Sequence, residues 1–579
     1  MMLMPTVQLK SALAAMLGDE LATLVIERES PERLKDAFQG QNRPLALVSF
    51  DVDRIKDFVF TSVKPMEIRG ASEMVRELTD EESLTDESCS IYKLLGNFGL
   101  SKDNVIFAGG GNGLLIVPAD KAEKIVREIE LRFARRTKVG SCTAVWQKFY
   151  PHELLLGPDG GECQSKALPK GIGVIPALSG GSTIPFGKIV QLLGDRLQEA
   201  KREKIVRGNF PISGILKRCT SCGILPAWKE YRVGEEIDWL CEACYEKRLR
   251  GRKEIRSDEK ELPEAKSIND IAGETAREGR AYIGVIYADV NRMGKMLSEM
   301  ERIEQYHIFS ETVTKVMEET KKDVVRELSL AGRYQSPVVG GDDVLLVLPA
   351  NEVLQAVMTL SEGIENGFKQ EGEKIGGDLA EKLKKLRIGV GFVIVPQHFP
   401  LRFAVQYAEE LMRKAKELGY SQEESCIDFM VIKDASLLNS DIESLRRELY
   451  FKRWPKYGAT IKLTKKPYSF GDFGDLLTDL GEIKTQIPQS QLFSVRSFLE
   501  NDRPEVARMN IVYQYLRSED WKDFLGSKYP SEPKNKWIDF FLEEDPKHPR
   551  NFSTRYLDLL EIYDFKEVSS EEVQTEDKD

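Results

Sequence analysis

Histidine is scarce in this chain of 579 residues: His152, His307, His398 and His548 are the only four, and none is followed by aspartate. That excludes a histidine-aspartate phosphohydrolase and most histidine-rich metal nuclease sites. No apolar run approaches eighteen residues, and Met1 to Ala15 lacks the basic, apolar and small-residue succession of a signal peptide. No membrane span is expected, and the chain reads as cytoplasmic. A basic excess is also missing. The 83 Lys and Arg against 94 Asp and Glu give a net charge of -11, which argues against broad, sequence-independent nucleic-acid binding by the chain alone. Eight cysteines are too few for a disulfide scaffold in so long a chain. With 41% hydrophobic and 31% charged residues of both signs the protein is expected to fold, and its length calls for about three to five domains.

An internal repeat is present. Phe107 to Asp120 (FAGGGNGLLIVPAD) aligns without gaps with Val338 to Asn351 (VVGGDDVLLVLPAN), and upstream Val48 to Arg54 (VSFDVDR) parallels Ile286 to Arg292 (IYADVNR). After each Pro-Ala pair, with Asp120 or Asn351 as candidate cap, apolar residues recur at helical spacing: Ala122, Ile125, Ile129 and Phe133, then Val353, Val357, Leu360 and Ile364. A β-rich run closes each unit, at Cys142 to Phe149 and Arg387 to Pro396. Strand, helix, hairpin, helix, strand predicts two ferredoxin-like palm domains in an α+β multidomain chain. A helical stripe from Leu401 to Ala415 is expected to stop at Gly419.

The second copy carries the chemistry. Gly340-Gly341-Asp342-Asp343 lies between β-favouring runs and predicts a tight hairpin bearing paired carboxylates. Asp289 ends the first strand of the same unit, so three carboxylates are expected to converge. Hard oxygen donors of one sign suit two Mg²⁺ or Mn²⁺ ions held together with a nucleoside triphosphate. In such a site Asp289, Asp342 and Asp343 are catalytic as metal ligands, with one ion activating a ribose hydroxyl and the other neutralising the triphosphate during attack on the α-phosphorus. The amides of Asn291, Arg292, Met293 and Gly294 at a helix start, with Lys416, are candidate phosphate contacts. In the first copy Gly111 and Asn112 occupy the positions of the acidic pair, so that hairpin is degenerate.

Cys219, Cys222, Cys241 and Cys244 form C-x2-C-x18-C-x2-C, the spacing of a closed tetrahedral zinc site with a structural role. The one short basic run, Lys247, Arg248, Arg250, Arg252, Lys253 and Arg256, follows as a solvated face or an RNA or partner contact.

These features together resemble the large palm-domain subunit of type III CRISPR-Cas effector complexes, the CRISPR polymerase family. The resemblance rests on the GGDD hairpin, the strand ending in Asp289 with Asn291-Arg292-Met293-Gly294, the zinc spacing between the repeats, and Ser49 to Phe58 with Arg69-Gly70-Ala71-Ser72 in the first copy. It covers about residues 45 to 435. It implies conversion of ATP to cyclic oligoadenylate second messengers in antiviral defence, when a complex with other type III subunits and guide crRNA engages target RNA. It also implies an acceptor nucleotide near Ser72. About 45 residues precede the first palm, so the form without a His-Asp nuclease domain is expected. A dinucleotide cyclase and an enzymatically silent scaffold are the alternatives.

The expected organisation is an N-terminal helical segment (1–44), a degenerate first palm (45–150), a connector (151–215), a zinc-binding module (216–275), a catalytic second palm (276–435) and a helical C-terminal domain with a disordered acidic tail (436–579).

Overall fold

The computed structural model describes residues 4–19, 22–23, 44–62, 64–81, 89–149, 186–204, 216–233, 236–252, 261–273, 281–337, 342–433, 441–529 and 536–566. The expectations for Gly340, Gly341, Lys253, Arg256, most of the connector and the acidic tail lie outside the described residues.

Helix α1 (Met4–Leu17) precedes the first unit, which runs β1 (Leu45–Asp53), α2 (Ile55–Val59), α3 (Pro65–Thr79), β2 (Val105–Gly109), β3 (Asn112–Pro118), α4 (Ala119–Thr137) and β4 (Ser141–Phe149). Its sheet order is β2-β3-β1-β4, with every neighbouring pair antiparallel. Alternation along β1 explains the layering. Val48, Phe50 and Val52 share a core with Ile68, Met74, Ile125 and Phe133 of α3 and α4, whereas Leu45 and Leu47 face the opposite core. Helix α4 is capped by Pro118, and Asp120 sits in its first turn instead of at the cap.

Helix α5 (Phe186–Glu203) then leads to the hairpin β5 (Lys229–Val233) and β6 (Glu236–Leu240), followed by α6 (Glu242–Gly251). The second unit runs β7 (Tyr282–Val290), α7 (Met293–Ser298), α8 (Ile303–Glu327), β8 (Asp343–Pro349), α9 (Val353–Ile375), β9 (Ile388–Pro396), α10 (Leu401–Gln422) and β10 (Cys426–Val431). After it come α11 (Ile442–Tyr450), β11 (Phe451–Trp454), β12 (Ala459–Lys462) and β13 (Tyr468–Ser469). The second sheet has the order β13-β10-β9-β7-β8. Its centre repeats the first sheet: β7 lies antiparallel between β8 and β9, as β1 lies between β3 and β4. Ile286, Ala288 and Val290 pack with α8 and α9, while Val285 and Tyr287 pack with Ala408 and Leu411 of α10.

Two expectations are corrected. Helix α10 does not stop at Gly419 but continues to Gln422. A Cβ at Gly419 would lie 2.7 Å from the Glu424 carbonyl oxygen and 2.9 Å from Asn291 Nδ2, so this glycine serves close packing, not termination. The region from 436 is not simply helical. With α12 (Phe470–Gln486), α13 (Gln489–Asn501), α14 (Pro504–Arg517) and α15 (Glu519–Lys528) it carries β14 (Glu543–Glu544) and β15 (Asn551–Ser553), which complete a sheet of order β11-β12-β15-β14. Strand β13 meanwhile extends the second sheet. Alternating Ala459 and Ile461, with Gly458 at φ 61°, favour a hairpin over a helix there. Among the described residues no helix is long and apolar enough to cross a membrane.

Candidate active site

The strand register places the acidic pair. Asp289 at the end of β7 faces Asp343 on β8 and Gly389 on β9. Two residues earlier on the same face, Tyr287 is buried, and its hydroxyl donates to Asp343 Oδ2 at 3.0 Å. Burial first, then the Asp289 carboxylate, pushes both Asp342 and Asp343 above the ordinary carboxylate range, and Asp342 pushes Asp343 further still. Half-buried oxygen donors that repel one another are a donor set that fits divalent cations. The three carboxylates stand wider than a closed ligand cluster: among the described residues, the group whose donor atoms all lie within 4.8 Å of one another is the four cysteines.

Lys416 reaches this cluster because α10 lies directly on β9. A Cβ at Gly389 would sit 2.5 Å from Lys416 Cγ, and one at Gly391 would sit 2.1 Å from the Ala408 carbonyl oxygen. The ammonium pairs with Asp289 Oδ2 and donates to the Val290 carbonyl oxygen at 2.9 Å. Lys416 is therefore the counter-cation of Asp289, not a free side chain.

Beyond Asp289 the chain turns through Arg292 in the left-handed region (φ 60°), as Arg54 does after β1 (φ 49°). Asn291 is buried, and neither the oxygen nor the nitrogen of its side-chain amide has a hydrogen-bond partner among the described residues. Arg292 donates to the Tyr420 carbonyl oxygen at 2.8 Å, and Met293 packs on the core. A Cβ at Gly294 would meet nothing within 4 Å, so space remains above the turn. Ser336, on the described segment that precedes β8, is fixed by Arg76, which donates to its carbonyl oxygen at 3.1 Å, and by Glu264, which accepts from its amide at 3.2 Å.

Two site residues were missed by the sequence reading. Tyr287 is one; burial together with the Asp343 and Glu409 carboxylates holds its phenol well above the ordinary range, so it is a neutral donor. Lys56 of α2 is the other. Its ammonium lies 4.5 Å from the centre of the Tyr287 ring and 2.8 Å from Glu409, linking the first unit to Asp343 through one side chain. Tyr287→Phe is expected to weaken the Mg²⁺ dependence of turnover by about tenfold, the worth of one hydrogen bond to a charged group. A Mg²⁺ titration of activity matching the unaltered protein would show that the bond does not position Asp343.

Residues 282–423 match the family model described as Cas10/Cmr2, second palm domain. The chain is Cas10-like. A curated relative, the CRISPR system single-strand-specific deoxyribonuclease Cas10/Csm1 (subtype III-A) of Mycobacterium tuberculosis, is 32% identical over 97 residues; these are 17% of this chain and 11% of that protein's length. A crystal structure of a Csm1-Csm4 cassette in complex with cA4 shares the fold at a TM-score of 0.53 and 12% identity, covering 95% of this chain and 73% of that one.

In the first sheet of this Cas10-like chain, the corresponding position is occupied differently. Asp51 faces Asn112 across β1 and β3, as Asp289 faces Asp343. Lys201 of α5 lies 2.6 Å from Asp51 and 3.7 Å from Asp53, and Lys204 lies 3.2 Å from Asp53. Ser141 and Thr143 also donate to Asp53, which holds it below the usual carboxylate range despite its burial. Two ammonium groups thus balance the charge here. Lys201→Met is expected to cost about 1–3 kcal/mol of stability, read from denaturant unfolding, while leaving turnover within about twofold. Turnover lost in a stably folded Lys201→Met protein would give this position a catalytic part. Ser72, expected near an acceptor nucleotide, is 2% exposed on α3 and offers solvent no hydroxyl.

Cys219, Cys222, Cys241 and Cys244 converge, with Cys222 and Cys241 sulfurs 3.9 Å apart and Cys241 capping α6. Four soft thiolates at this spacing fit a structural zinc ion and leave no open position. The basic run after them is not a free face. Lys247 is buried over the Phe58 ring at 4.0 Å, Arg248 pairs with Glu67 and Asp238, and Arg250 pairs with Glu77. A Cβ at Gly70 would lie 1.7 Å from the Lys247 carbonyl oxygen, so α3 and α6 touch backbone to backbone. The run fastens the cysteine module to the first unit, which corrects the RNA-contact expectation for these three residues.

Proposed function

We propose that this chain is the nucleotidyltransferase subunit of a type III CRISPR effector complex, converting ATP to cyclic oligoadenylates in antiviral defence when other type III subunits and guide crRNA hold target RNA. The observation that carries this reading is the half-buried carboxylate pair: Asp289 in register with Asp343, inside the segment that matches the second palm. Asp289, Asp342 and Asp343 would hold two Mg²⁺ or Mn²⁺ ions. Bound there, the ions supply charge neutralisation of the triphosphate and activation of a ribose hydroxyl. The hydroxyl oxygen attacks the α-phosphorus, and pyrophosphate leaves. Tyr287 fixes Asp343, Lys416 balances Asp289 and adds a cation beside the phosphates, and the open turn at Gly294 leaves room for the triphosphate. Gly340 and Gly341 would allow the nucleotide close to the hairpin backbone. The likeness to a cassette solved with cA4 supports the fold of the reading.

The assembled complex with target RNA, given ATP or GTP with Mg²⁺, tests it against a dinucleotide cyclase. ATP is expected to be consumed and GTP spared; a cyclic diguanylate product would favour the cyclase. DNA cleavage, which the mycobacterial relative's name records, is not carried over. None of the three described histidines joins a metal-ligand cluster among the described residues: His307 meets the Ile106 carbonyl and Glu311, His398 meets Gln397 and His548 meets Asp545. Single-stranded DNA should stay intact with the chain and metal. Cleavage persisting in Asp342→Asn/Asp343→Asn protein would contradict this.

A further inference from the structure

We propose that a second, non-catalytic site on the β11–β12 hairpin binds single-stranded nucleic acid. Residues 451–466 (FKRWPKYGATIKLTKK) carry six cations and no carboxylate, in a chain whose net charge is -11. The hairpin brings two of them, Arg453 and Lys462, onto one face: Phe451 faces Lys462, and Arg453 faces Thr460, while Lys452 pairs with Ile461 on the other face. Ala459 and Ile461 on the other face are buried. Lys465 and Lys466 are engaged by Glu543, Asp558 and Glu561. Arg453 and Lys462 make no ion pair among the described residues and stay exposed.

This face forms one wall of a cavity of about 530 Å³. The other wall brings Lys414 of α10 with Arg446 and Arg447 of α11, and Glu443 is the single carboxylate in the lining. Arg446 is held by Asp428, Lys466 by its own acids, Lys414 by Glu417 and Glu443, and Arg447 by Glu443, so Arg453 and Lys462 are the cations of the lining without an ion pair among the described residues. The positive surface continues past the cavity to the hairpin tip. There Lys456 lies 5.9 Å and Arg503 4.7 Å from the Tyr457 ring, and Arg550 donates to the Tyr457 carbonyl oxygen at 3.1 Å.

Phe451 and Tyr457 are each 40% exposed, at the two ends of this track. Exposed cations flanked by an exposed aromatic ring at each end match a polymer of phosphates and bases: phosphates on the ammonium and guanidinium groups, bases stacked on the rings. A free nucleotide would use only one end, and an acidic polypeptide would have no use for the rings. The site lies outside the Asp289 cluster and does not depend on turnover.

The test is fluorescence anisotropy of a labelled oligouridylate with the full chain at low salt. Arg453→Glu/Lys462→Glu is expected to weaken binding at least tenfold and to lower the log-log salt slope by about 1.4, two phosphate contacts on a single strand. Phe451→Ala should weaken it by about five- to a hundredfold. Arg453→Lys/Lys462→Arg and Asp342→Ala/Asp343→Ala should bind as the unaltered chain does, with no unfolding midpoint lowered in any variant. No binding by the unaltered chain, equal binding by the charge-reversed variant, or displacement by ATP or polyglutamate as effective as by unlabelled oligonucleotide would overturn the proposal.

Discussion

Asp342→Ala/Asp343→Ala is expected to lower nucleotidyl transfer by at least about a thousandfold at saturating ATP and Mg²⁺, because two of the three anionic ligands vanish and several kcal/mol of charge stabilisation go with them. Folding should not suffer. Burial and mutual repulsion oppose ionisation of both carboxylates, so their removal relieves the native state. Asn112→Ala, at the register equivalent of Asp343, should reduce turnover only a few-fold, since Asn112 faces an Asp51 already balanced by Lys201. Rates and unfolding midpoints measured together on both variants decide the matter. A dead Asn112→Ala protein beside an active Asp342→Ala/Asp343→Ala protein would move the catalytic site to the first sheet.

Cys219→Ser, or zinc removal by a chelator, is expected to unfold residues 216–252. A structural four-thiolate zinc ion contributes about 10–16 kcal/mol of binding free energy, far more than a small cluster of Tyr231, Leu240 and Ala243 can replace. Once α6 is lost, Lys247 and Arg248 leave Phe58 and Glu67, so α3 should lose protection as well. Metal analysis should find about one zinc ion per chain. Hydrogen exchange should then show faster amides in both α6 and α3 of the variant. Zinc-free protein with full protection over 216–252 would refute the structural role.

What the sequence could reveal depended on how local the signal was. The repeat was legible because hairpin, strand and helix lie in a fixed order within each copy, and the register of Asp289 with Asp343 follows from alternation along β7 and β8. The cysteine pairs were legible because metal geometry fixes their spacing. Lys201 and Lys204 were not, since they act about 150 residues away from Asp51 and Asp53 in sequence. Nor was Tyr287, which reads as an ordinary core aromatic until its hydroxyl is placed beside Asp343. Gly389 and Gly391 offered a signal that was passed over: glycines two apart in a β-run mark a close approach, here that of α10. The basic run at Lys247 misled because acids on α3, distant in sequence, bury it. The hairpin at 451–466 escaped notice because its cations become neighbours only through strand pairing.

The central claim is that the Asp289, Asp342 and Asp343 cluster joins adenylates. The most direct measurement is resolution of products from α-labelled ATP and Mg²⁺ by the assembled complex, with and without target RNA. Cyclic oligoadenylates that appear with target RNA and vanish in Asp342→Ala/Asp343→Ala protein are the predicted result. Unconverted ATP in the assembled, RNA-engaged complex, or the same products from the variant, would contradict it.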